Sequence, residues 1–122
     1  MAIIAYSGVD DLVKQKSSYV TWVLPTTGDT GQPLEAAGFP DKTVQAFGTA
    51  VTSITMEGSN DPRVLTDAVN AVWFPLVDPQ GNAITKTAAF GEVLLESPRF
   101  IRPNLTTGTA VTVIVACRIG TF

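Results

Sequence analysis

The stretch AVTVIVACRIG, residues 110–120, decides how the rest of the chain is read. Side chains along a strand point alternately to its two sides. Val111, Val113, Val115, Cys117 and Ile119 would then line one face, with Thr112, Ile114, Ala116 and Arg118 on the other. Both faces carry apolar groups and β-branched residues dominate, so the run suits a strand inside a sheet. Its apolar part, VTVIVAC, is far shorter than the roughly 20 residues that span a bilayer.

Working outward, other short runs share this period. YVTWVLP (19–25) puts Val20, Trp22 and Leu24 on one side. KTVQAFG (42–48) and VTSITMEG (51–58) flank Gly48 and Thr49, a pattern that predicts a hairpin; in the second run Ile54 and Met56 share a face. VWFPLVD (72–78), AITKTA (83–88), GEVLLES (91–97) and RFIRPNL (99–105) follow. Pro75 and Pro103 lie inside such runs, which marks those runs as edges or bulged strands. Residues 26–42 are rich in Gly, Pro and Thr and read as a long surface loop. Residues 61–72, DPRVLTDAVNAV, place Val64, Leu65, Ala68, Val69 and Val72 at helical spacing, as in a helical turn or long loop. The expected fold is all-β: a β-sandwich or jelly roll of about eight short strands over residues 19–122. Residues 1–18 read as an N-terminal arm.

Composition narrows the function. The chain has 122 residues, the length of one domain, and 45% are hydrophobic. Charged residues make up 16%, against about 25% in an ordinary soluble domain. Thr and Ser must cover part of the surface, or a partner must. A net charge of −3 and scattered cations argue against nucleic acid, which calls for a basic patch. No polybasic segment points to a membrane. The lone Cys117 permits no internal disulfide and fits synthesis in a reducing cytosol. The N-terminal segment has no basic region of the kind that opens a secretory signal.

The chain contains no histidine. That removes imidazole-activated nucleophiles and the commonest zinc ligand, and the sequence has no phosphate-cradling glycine motif. The expectation is a protein that is not an enzyme and carries no cofactor. Remaining candidates are weighed against plainer roles. Asp10 with Asp11, or Glu92 with Glu96, are carboxylate pairs in the manner of a glycosidase, or solvated acids. EGSNDP (57–62) offers Glu57, Ser59, Asn60 and Asp61 as oxygen ligands, but lacks the ligand ladder of an EF-hand and has the residues of a turn. DPQGN (78–82) is a turn. Trp22, Trp73 and Phe74 are core aromatics or a sugar-stacking platform. Cys117 is a small buried hydrophobe. Arg99 and Arg102 are solvated cations or interface anchors.

Four motifs in order, VTSITMEGSNDP, WFPLVDPQGNAIT, ESPRFIRPNLTTG and VTVIVACR, resemble small virion proteins of tailed bacteriophages. A weaker echo, EGSND ahead of a tryptophan, is similar to discoidin-type sandwiches. The phage resemblance covers roughly residues 44–118 and departs from the pattern at PRVLTDAVNAV (62–72), which is longer than expected. It implies a capsid decoration, or cement, protein. Such a protein would bind the outside of the phage major capsid protein shell, as a dimer or trimer, and stabilise the head. It would be made in the host cytoplasm and end on the virion surface, with neither nucleic acid nor membrane as partner. The contact residues expected are Ile3, Ile4 and Tyr6 of the arm, Arg63 and Leu65 of the enlarged loop, and Arg99 and Arg102. The alternatives are a carbohydrate-binding sandwich module and another virion component, in a tail or head fibre.

Overall fold

A computed structural model describes residues 2–11, 17–36, 39 and 41–118. Among the described residues ten strands form one hydrogen-bonded system. In chain order they are β1 (Ile3–Ile4), β2 (Ser7–Asp11), β3 (Ser17–Thr26), β4 (Thr30–Gly31), β5 (Leu34–Glu35) and β6 (Asp41–Ser59), then β7 (Phe74–Pro75), β8 (Thr85–Lys86), β9 (Phe90–Leu94) and β10 (Phe100–Arg118). Between β6 and β7 lie a one-turn helix, α1 (Arg63–Thr66), and a 3-10 turn (Ala68–Asn70).

The stretch that opened the sequence is the second half of β10, and it is central. It pairs antiparallel with β3 on one side and β6 on the other, Val113 lying opposite both Trp22 and Ala46. Val111, Val113, Val115 and Cys117 are buried, as the alternation requires; Ile119 lies outside the described residues.

Two short strand pairs expected from sequence are instead two 19-residue strands. β6 runs through Gly48 without turning, so the expected hairpin does not form; RFIRPNL and VTVIVACR likewise belong to one strand. The reason lies opposite. Gly48 pairs with Val111, and a Cβ on Gly48 would sit 2.3 Å from the Ala110 carbonyl oxygen. Glycine here admits a close neighbouring strand where a turn was expected. Register shifts at Leu105/Thr107 and Thr107/Gly108 lie a few residues before that point on β10, and Ala110 takes φ 50.

These irregularities bend both long strands. Pro103 and Val113 are ten residues apart on β10, which on a straight strand is about 33 Å. Yet a Cβ on Gly31 would meet Pro103 Cδ and Trp22 Nε1, each at 2.6 Å, and Trp22 is the partner of Val113. The strand therefore folds back, and its halves face each other across one core. The fully buried Trp22 bridges them, its indole N–H donating to the Gln32 carbonyl at 3.0 Å. One layer is β2, β3, the second half of β10, the first half of β6, and β9. The other is β1, β4 and β5 beside the first half of β10, with the second half of β6, β7 and β8. This is a jelly-roll-like sandwich.

The proline rule holds in two ways. Pro75 lies in β7, which pairs with β6 alone. Pro103 is interior, but it falls between the segments of β10 that meet β5 (Phe100, Ile101) and β4 (Asn104), where its missing N–H costs no ladder bond. The expected surface loop at 26–42 is largely structural. It supplies β4 and β5 and buries Asp29, Thr30, Leu34 and Ala36. The Asp29 carboxylate accepts the Thr26 N–H (2.9 Å), the Thr26 hydroxyl (3.0 Å) and the Ala2 N–H (3.1 Å). Those bonds, the Thr26 N–H foremost, hold its pKa below the ordinary value.

Residues 3–4 and 7–11 join this sheet. β1 runs parallel to β4, and β2 pairs with β3. Ile4 and Tyr6, expected as contact residues of an arm, pack on the core, Tyr6 meeting Trp22 edge to face at 5.9 Å. Ile3 stays exposed.

Candidate functional site

The segment following β6 is built on one serine and one aspartate. Ser59 Oγ donates to the Val72 carbonyl (2.7 Å) and accepts the Asp61 N–H (3.0 Å). The Asp61 carboxylate accepts the Arg63 N–H (2.9 Å), Arg63 Nη2 (2.7 Å) and Nε (3.1 Å), and the Val72 N–H (3.0 Å). It thus closes an eleven-residue loop at both ends. The Arg63 guanidinium, then the two backbone donors, hold Asp61 far below the usual carboxylate range. Both readings of residues 61–72 are realised: α1 and the 3-10 turn are short helical turns inside a long loop.

The helical spacing does not bury a face. Val64 alone turns inward, while Leu65, Val69 and Val72 are 63%, 93% and 65% exposed. Such large apolar side chains usually mark a contact surface when they cluster and the backbone beneath them is fixed.

Beside this tip, Arg102 lies between two partners. Its Nε donates to Glu57 at 2.9 Å, and its guanidinium carbon sits 4.0 Å from the centroid of the Trp73 ring. One face of Trp73 is therefore occupied, leaving a stacked sugar only the other. Arg99 is exposed, pairs with Glu35 at 3.5 Å and gives its N–H to Asn60 Oδ1 at 2.8 Å. The fold thus gathers Arg63, Leu65, Arg99 and Arg102 around the junction of β6 and β10. Ile3, on β1, joins the same layer through β4. Val69 and Val72, the apolar side chains of the tip besides Leu65, were readable only as a helix face.

The oxygen atoms of EGSNDP do not converge. Glu57 faces Arg102, Ser59 faces Val72, Asn60 faces Arg99 and Asp61 faces Arg63. Among the described residues no group of three or more Asp, Glu, Cys or His side chains is placed to hold a metal ion. Glu92 and Glu96 do not pair: Glu92 meets Lys86 at 3.3 Å, and Glu96 accepts the Val77 N–H at 2.6 Å. The side chains of Asp10 and Asp11 lie outside the described residues. DPQGN is a turn, with Asp78 Oδ1 accepting the N–H groups of Gln80 and Asn82. No described helix is long and apolar enough to cross a membrane.

No protein-family model matches the chain, and no curated protein matches it. Solved structures do. The SPBc2 prophage-derived protein YomS is similar over 88% of this chain and 98% of its own, with TM-score 0.57 and 14% identity. Oxalate oxidase is similar over 84% of this chain, with TM-score 0.50 and 10% identity; the chain spans 42% of the oxidase. A cupin domain from Bordetella pertussis Tohama I aligns over 99% of both chains at 10% identity and TM-score 0.45. At such identities the first two likenesses are of fold, and they agree with the bent strands in defining the class: an all-β, jelly-roll-like protein.

Proposed function

We propose that this chain is a capsid decoration protein of a tailed bacteriophage, binding the outside of the major capsid protein shell and stabilising the head. The observation that carries the reading is the tip at 62–73: three exposed apolar side chains on a backbone fixed by Ser59 and Asp61. A surface ordered before binding loses little entropy on docking, so weak apolar contacts count fully. Repetition over a lattice of identical sites then multiplies them, because one engaged contact raises the effective concentration at the next. The order of the four phage-like motifs and the prophage origin of YomS support the same reading. Ile3, Arg63 and Arg99 are the other exposed contact residues; Arg102, Ile4 and Tyr6 act by holding the surface in place.

The test is co-sedimentation with undecorated heads of the phage that encodes the chain. The wild type is expected to pellet with heads. A variant carrying Leu65→Ser, Val69→Ser and Val72→Ser is expected to bind at least tenfold more weakly with its fold retained. Equal binding would remove the tip from the interface. Binding to tails but not heads would replace decoration by a tail role.

A further inference from the structure

The outer face of the β3–β10–β6–β9 layer is a surface the proposed function leaves unused. Its outward positions are 19–23, 43–47, 91–93 and 112–116, taken alternately. Tyr19, Val23, Phe47 and Val93 are exposed there, and Ile114 lies at the centre, opposite Thr21 and Gln45. The rest are Thr, Gln, Gly or Ala. None of these side chains carries a charge, although the chain has 8 basic and 11 acidic residues. Among the described side chains the exposed Asp41 stands at the rim, where β6 begins. Antiparallel sheets that face water normally alternate apolar-in with polar or charged-out, and a monomer's surface rarely has such a patch.

We infer that this face is covered by a second copy of the same chain, stacked sheet on sheet about a two-fold axis. Charge argues for self-pairing. Two copies each carrying −3 repel, and an uncharged face lets them meet without opposing like charges. Shape agrees. Between β6 and β9 the face has a hollow of about 300 Å³ bordered by Thr43, Val93, Leu95 and Ala116, with the exposed Asp41 and the buried Lys42 at its end. Next to it the side-chain-free Gly91 extends the depression. Phe47 projects from the other end of the same strand segment, so a two-fold rotation sets each copy's Phe47 towards its partner's hollow. Area is sufficient. Four strands at about 4.8 Å spacing and five residues at about 3.4 Å give a projected face roughly 20 Å on a side. Two such corrugated faces bury on the order of 1,000 Å², the lower bound for a specific interface.

The proposal stands apart from the capsid reading, because its test uses the purified chain alone. Sedimentation equilibrium should give twice the 12.9 kDa protomer mass. Ile114→Glu and Phe47→Glu, on different strands and both facing outward, should each weaken the dimer at least 100-fold with unchanged circular dichroism. Val93→Lys, at the hollow's border, should do the same in a milder background if either glutamate variant fails to fold. A wild type that stays monomeric at about 100 µM, a trimer, or a dimer that survives all the folded face variants would overturn the assignment.

Discussion

Arg102 and Asp61 each hold together backbone that the core does not reach. Arg102 joins β10 to Glu57 on β6 and covers Trp73 at the exit of the tip, with both ionic partners only about one-fifth exposed (18% each). Arg102→Ala should cost about 1–3 kcal/mol, the scale of a charge-assisted hydrogen bond and a cation–π contact on a partly buried site. Arg102→Lys should restore less than half of that, because an ammonium lacks the planar fork that donates and stacks at once. Urea unfolding of the three proteins measures it; a lysine variant equal to wild type would show that charge alone matters. Asp61 makes a prediction of opposite origin. Its folded pKa, like that of Asp29, lies below the ordinary 3.8. A depressed acid stabilises the folded state above its unfolded pKa and loses that contribution as pH falls through the folded value. Melting temperature should therefore hold near neutral pH and fall steadily below about pH 4, and Asp61→Asn should show a shallower fall over that range. An identical slope in the variant would mean the carboxylate's bonds do not persist in solution. At this scale the sequence was readable in part. DPQGN announced a turn through Asp, Pro, Gly and Asn, whereas in EGSNDP only the last three residues leave the strand, Glu57 to Ser59 ending β6. The pairing of Arg102 with Glu57 was not readable, because it joins residues 45 apart in sequence.

The decisive element-scale feature is the bend shared by β6 and β10. It depends on absent side chains. Gly48→Ala would set a methyl against the Ala110 carbonyl oxygen at 2.3 Å, and Gly31→Ala would set one against Pro103 and Trp22 at 2.6 Å. The first obstacle is backbone and the second a buried indole, so neither yields cheaply; each variant should lose about 3 kcal/mol or more. Gly91→Ala is the control. Its nearest neighbour would be the Val44 carbonyl oxygen at 3.8 Å, and its stability should change by less than about 1 kcal/mol. Thermal unfolding of the three variants ranks them, and a destabilised Gly91→Ala beside a tolerated Gly48→Ala would refute the bend's dependence on glycine. The same residues explain where the reading of elements went astray. A glycine between two alternating runs signals a hairpin when only local pattern is available, and no local pattern states that another strand passes within van der Waals contact. Likewise β4 and β5 have two residues each, too few to show a period of two. Their backbone is placed by neighbouring strands, β4 by β1 and by β10 at Asn104, and β5 by β10 at Phe100 and Ile101, not by a pattern of their own.

Over the whole molecule, the all-β class and the core were visible because buried residues alternate along β3, β6 and β10. Trp22, Ile54, Met56, Val111, Val113 and Val115 all lie in the core, as their period placed them. What alternation cannot state is which layer each half-strand joins, since a bent strand and two hairpin strands share the same pattern. That topology has a consequence that Cys117 reports. The thiol is 2% exposed, in a strand bonded to β3 on one side and β6 on the other, and Lys42 lies opposite it. Lys42 is itself buried, tied to the Phe39 carbonyl at 2.7 Å and Ser97 Oγ at 3.1 Å. Burial pushes the thiol's pKa up, so little thiolate forms near neutrality, and the nearby ammonium offsets only part of this. Access therefore requires β10 to part from both neighbours. Because β10 also runs through the other layer, that opening should approach global unfolding. Labelling of Cys117 by a water-soluble disulfide reagent at pH 8 should be slow. Its rate should rise with urea along the same slope as equilibrium unfolding. Arg102→Ala, remote in sequence and in the opposite layer, should accelerate it by the factor its stability loss dictates. Fast labelling in water with no urea dependence would mean that the end of β10 opens by itself, and that the two layers do not unfold as one unit.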